Sequence, residues 1–112
     1  MILGDIFRFR QIKITTSTPK GWFQLPISSN VGSMFINLRC SSQSAGYNAL
    51  ILVQQGHAAL IGTSATTSVT AAYSQAHSTD VGNFIFYVEN GMWKMCINIS
   101  SIDLEWIIDM HY

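Results

Sequence analysis

By residue type, chemistry in this chain would fall to three histidines (His57, His77, His111), two cysteines (Cys40, Cys96) and the carboxylates Asp103, Glu105 and Asp109. Nucleophilic catalysis needs a Ser or Cys with a histidine in reach and a third group to orient it. Serines are plentiful, yet there is no Gly-x-Ser-x-Gly elbow and no other active-site string. A glycosidase would need two carboxylates flanking a cleft. On an extended segment Asp103, Glu105 and Asp109 share one face while Trp106, Ile108 and Met110 take the other, so the acids read as a solvated or partner-facing stripe. Metal binding would call for clustered ligands, and neither His-x-His nor Cys-x-x-Cys occurs. The remaining arrangement for a metal is three copies of His57 or His111 meeting on a symmetry axis, against which stands the simpler reading of a solvated histidine. Cys40 and Cys96 both sit among apolar residues and are expected to be buried free thiols, with a single bridge between them as the alternative. We expect no enzyme, cofactor or metal.

Recognition is the better-supported chemistry. Sites for small polar ligands combine an apolar wall with a few placed polar groups, and a sugar uses an aromatic face together with amide, carboxylate or imidazole partners. Tyr73, Gln75, His77, Asp80 and Asn83 lie close together in the segment 72–83. If a strand continues through 77, Tyr73, Gln75 and His77 share a face. This group is the candidate ligand site, and its plain alternative is an ordinary polar strand and loop. Trp22, Trp93 and Trp106 lie within apolar strand-like patterns, where packing is the first assignment.

The elements that must position these residues read as strands throughout. Residues 7–14 alternate apolar and polar, which predicts a strand with one buried face and its basic side facing out or towards a partner. Pro19 and Gly21 mark a turn. Trp22–Leu25 resumes as a short strand that Pro26 ends or places at a sheet edge. Strands follow at 34–40 and 47–53, the latter with so little alternation that cover on both faces is expected. After Gln54-Gln55-Gly56, short strands are expected at 58–62 and 68–74. Phe84–Glu89 and Met92–Ile99 flank Asn90-Gly91, the pair that a type I′ hairpin turn requires because both residues must adopt positive φ. A terminal strand covers 104–111. Eight or nine short strands without a convincing helix predict an all-β fold, an antiparallel β-sandwich or jelly roll, as one domain over residues 1–112.

Composition bounds the partners. Of 112 residues only 11% are charged, while 48% are hydrophobic. The first 56 residues carry five basic groups against Asp5, a balance of +4, and the rest carry Lys94 against five acids, a balance of −4. Either neighbouring strands pair these charges, or flanks of adjacent subunits do, or the charges are simply solvated. Net neutrality argues against a nucleic-acid partner. No apolar run is long enough to insert in a membrane as a helix, and the opening Met1–Arg8 lacks signal-peptide order. A surface so poor in charge suggests burial against sister subunits or attachment to a larger chain.

The order of these features resembles the C-terminal receptor-binding heads of phage tail fibres, especially those of gut phages. The likeness rests on the leading strand Arg10-Gln11-Ile12-Lys13-Ile14-Thr15, the segment Gly21-Trp22-Phe23, and the hairpin Asn90-Gly91-Met92-Trp93-Lys94 before a final aromatic strand. It covers most of the chain. The resemblance implies a homotrimer at the tip of a virion tail fibre, binding a host surface glycan or outer-membrane protein. The alternative it leaves open is a trimerisation or capping module without a ligand of its own. No site residue carries over from the family, whose binding loops vary.

Overall fold

The computed structural model describes residues 8–16, 21–40, 48–64, 68–99 and 104–112. Among these residues nine strands run in chain order: β1 (Phe9–Thr16), β2 (Trp22–Ser28), β3 (Ser33–Cys40), β4 (Asn48–Gln54), β5 (His57–Thr63), β6 (Ala71–Tyr73), β7 (Phe84–Glu89), β8 (Met92–Ile97) and β9 (Leu104–His111). They form a five-stranded sheet ordered β1-β9-β3-β4-β5 and a four-stranded sheet ordered β2-β8-β7-β6. The two sheets enclose one core, a β-sandwich with no helix among the described residues. Phe7, Thr18, Pro19, Lys20, Tyr47 and Asp103, which the sequence reading placed in strands, turns or the acidic stripe, lie outside the described residues.

Alternation decides which side chains enter the core. In β3, Met34, Ile36 and Leu38 are buried, and β9 contributes Trp106, Ile108 and Met110 to the same layer. The facing sheet supplies Leu25, Phe84, Phe86, Trp93 and Met95. Phe84 meets Trp106 edge to face at 5.9 Å, tying one sheet to the other. Trp93 buries its ring completely and donates its indole N–H to the Val31 carbonyl at 3.0 Å, so no polar group is stranded. Cys40 is half-buried and Cys96 buried, and neither stands in a disulfide.

Turn chemistry follows the residues. Asn90 and Gly91 hold φ of 53° and 77°, as a type I′ turn demands, and Glu89 pairs with Met92 across it. Pro26 does not end its strand. β2 continues to Ser28 at the sheet edge, and its register against β8 is irregular between Gln24 and Ser28, so the missing N–H costs no ladder bond.

Four expectations are corrected. The alternation in β1 slips at Arg10-Gln11, two polar residues in succession: Ile12 and Ile14 pack against the core, whereas Phe9 points outward and is 55% exposed. Among the described residues β4 is covered on one face only, with Ala49, Ile51 and Val53 inside and Leu50 left 37% exposed on the other side. The strand expected over 68–74 shrinks to three residues, and β6 runs parallel to β7, whereas the other pairings among the described strands are antiparallel. Asp109 is buried, although its neighbour Glu105 lies on the same outer face and is partly exposed.

The opposed charges of the two halves meet on that outer face. Lys13 lies 3.7 Å from Glu105 across the β1/β9 pair. Asp109 accepts a hydrogen bond from the Gln11 amide at 2.7 Å and pairs with Arg39 of β3 at 3.5 Å. The basic N-terminal strands therefore flank the acidic C-terminal one.

Candidate binding site

β6 and β7 are parallel neighbours, so the chain between Tyr73 and Phe84 must travel back along the sheet before pairing again. It does so as a loop fixed by its own side chains. Ser74 is buried; its amide bonds the Phe86 carbonyl at 2.9 Å, its hydroxyl accepts from the Ser78 amide at 2.9 Å, and its carbonyl accepts from the His77 amide at 3.2 Å. At the far end the Asn83 side chain accepts from the Thr70 amide at 2.9 Å and donates to the Asn98 carbonyl at 3.1 Å. The Asn98 amide group in turn donates to the Thr79 carbonyl at 2.9 Å. A Cβ at Gly82 would stand 3.1 Å from the Thr70 hydroxyl, so the loop approaches the preceding segment as closely as glycine permits.

This loop delivers His77 onto the outer face of the four-stranded sheet. Along β7, Phe84 and Phe86 enter the core, which turns Ile85 and Tyr87 to the opposite side. The His77 ring lies over Tyr87 with centroids 3.7 Å apart and planes tilted by 33°. Trp22, half-buried on β2, meets Tyr87 edge-on at 4.6 Å. The three rings form a cluster with Tyr87 at its centre and Trp22 and His77 on its flanks. His77 Nδ1 lies 3.7 Å from a Glu89 carboxylate oxygen, an ion pair once the imidazole is protonated. Lys94 donates to Gln24 at 3.0 Å in the strands alongside, and these groups give the cluster a polar rim. Burial, and secondarily the Glu89 charge, push the Tyr87 phenol above its ordinary value of 10.0.

His77 reaches this position at φ 55°, a left-handed conformation that costs a non-glycine residue of order 1–3 kcal/mol. The bonds from Ser74 hold it there, and the ring contact with Tyr87 offsets part of the cost.

The five residues expected to form a ligand site do not share a face. The strand stops at Tyr73, whose ring turns inward and meets Trp93 edge-on at 6.2 Å. Asn83 serves as the brace of the loop. Gln75, His77 and Asp80 are exposed, and among them His77 is the one that joins the ring cluster. Trp22 and Tyr87 were not foreseen as partners. Trp22 sits in an apolar stretch where packing was the natural assignment, and Tyr87 is hidden in the unbroken run 84–88. The available signal was that run itself, since a strand apolar on both faces needs cover on both.

Among the described residues no three His, Cys, Asp or Glu side chains gather as a metal-ligand set. No family model, curated protein or solved structure matches the chain.

Proposed function

We propose that this chain is a non-catalytic binding head that engages a glycan on a host cell surface through the cluster Trp22–Tyr87–His77. The observation that carries the reading is the clamped loop, which holds an exposed His77 in a strained backbone conformation against Tyr87. Strain of this kind persists where surrounding structure over-determines it, and such places concentrate at ligand clamps. A cluster of rings rimmed by Glu89, Lys94 and Gln24 matches what a sugar requires: apolar contact for its C–H face and charged or amide groups for its hydroxyls. Together with the resemblance to phage tail-fibre heads, this supports a homotrimeric tip domain of a virion fibre, in which three copies of a weak site act together by avidity. A host outer-membrane protein is the other receptor class consistent with that resemblance.

The test is binding of the purified chain to a panel of immobilised bacterial surface polysaccharides. The wild type is expected to retain at least one polysaccharide, and Trp22→Ala and His77→Ala to weaken that binding about tenfold or more, as loss of an aromatic anchor does. A second reading, a fibre-capping module without a ligand, is favoured by the apolar outer face of the five-stranded sheet. It predicts no retention by any polysaccharide and full assembly in both variants.

A further inference from the structure

The outer face of the five-stranded sheet carries a row that crosses every strand and is apolar except at His111 of β9. The register aligns Phe9 of β1 with His111 of β9, His111 with Phe35 of β3, Phe35 with Leu52 of β4, and Leu52 with Ala59 of β5. Phe9 is 55% and Phe35 46% exposed, and the Phe9 and His111 rings touch at 5.0 Å. With strands about 4.8 Å apart, the row spans about 19 Å. Leu50 extends it along β4, beside a shallow depression lined by Asn37 and Gly62. β4 has the sequence of a strand covered on both faces, and the described residues cover only one.

We propose that a second copy of this chain covers this face. A face that meets itself does so about a twofold axis, so the proposal adds a pairwise contact to the threefold assembly proposed above and stands apart from it. Charge argues for the occupant. Lys13 and Arg39 on this face are each within 4 Å of a carboxylate of the same face, Glu105 and Asp109. With His111 neutral, the described residues of the face therefore sum to no net charge that would attract an oppositely charged protein or an anionic lipid surface, and the face can meet itself without strong like-charge repulsion. Area argues the same way. Five strands of about eight residues present a face of roughly 600 Å² per copy, so a facing pair buries about 1,200 Å², above the roughly 1,000 Å² that a specific contact needs.

Light scattering of the wild-type chain and of Phe35→Glu across a dilution series tests this, with circular dichroism to show that the variant is folded. Phe35 is exposed, so its replacement leaves the core untouched; Leu50→Glu serves as an independent second variant. The expected result is a wild-type mass that is an even multiple of 12.4 kDa and self-association about tenfold weaker in both variants. An oligomeric wild type whose variants assemble equally well would overturn this face as the contact while leaving the oligomer standing. A monomeric wild type at all concentrations would overturn both. A monomer that floats with anionic vesicles, and loses that in Phe35→Glu, would assign the face to lipid instead.

Discussion

His77 and Asn83 lie in the same loop and do opposite work. Asn83 satisfies the Thr70 amide and the Asn98 carbonyl at once, so Asn83→Ala leaves both without a partner and is expected to destabilise the fold by about 1–3 kcal/mol in denaturant titrations. His77→Gly removes a ring contact but also relieves a positive φ, and these terms are similar in size. Its stability should stay within about 1 kcal/mol of wild type while glycan retention is lost. Tyr87 adds a signature in alkali. Its phenol is raised above 10.0 in the folded chain, so the folded state binds more protons than the unfolded state once pH exceeds about 10. The stabilisation from the neutral phenol is complete below that pH and is lost as pH rises through the raised value. Chemical denaturation followed from pH 9 upward should show a fall that is shallower in Tyr87→Phe.

At the scale of elements, the hairpin Asn90-Gly91 was the most legible feature, because the two positive-φ positions are written in residue type. Asn90→Ala places a Cβ-bearing residue without a local polar side chain at φ 53° and is expected to cost about 1–2 kcal/mol, whereas Asn90→Gly should be near neutral in thermal melts. Strand positions were legible too, since Met34, Ile36 and Leu38 of β3 and Trp106, Ile108 and Met110 of β9 fall at every second position. What the residues did not disclose depends on distant partners. Nothing local distinguishes the parallel pairing of β6 with β7 from an antiparallel one. The end of β6 at Tyr73 follows from Ser74, whose buried hydroxyl holds a turn that composition does not announce. That single turn sends Tyr73 into the core and His77 to the opposite face of the sheet, which is why the five candidate residues did not converge. In β1 the slip at Arg10-Gln11 was visible as two adjacent polar residues, and it moved Phe9 from the expected core to the surface.

For the molecule as a whole, the division of charge along the chain is resolved within the fold. β9 carries the acids between the basic strands β1 and β3, and Asp109 sits at the crossing, bonded to Gln11 and Arg39. The low charge of the surface finds its counterpart in the apolar row across the larger sheet, and the ring cluster lies on the opposite sheet. The proposed assembly thus leaves the proposed ligand site open. Of the three tryptophans, Trp93 and Trp106 are fully buried and Trp22 alone is accessible, which makes fluorescence a local reporter of that site. The decisive measurement is therefore a tryptophan-emission titration of the wild type and of Trp22→Phe with the polysaccharide retained on the panel. A saturable change is expected in the wild type and none in Trp22→Phe. An equal change in both proteins, or saturable binding without any change in the wild type, would place the ligand elsewhere and contradict the proposed site.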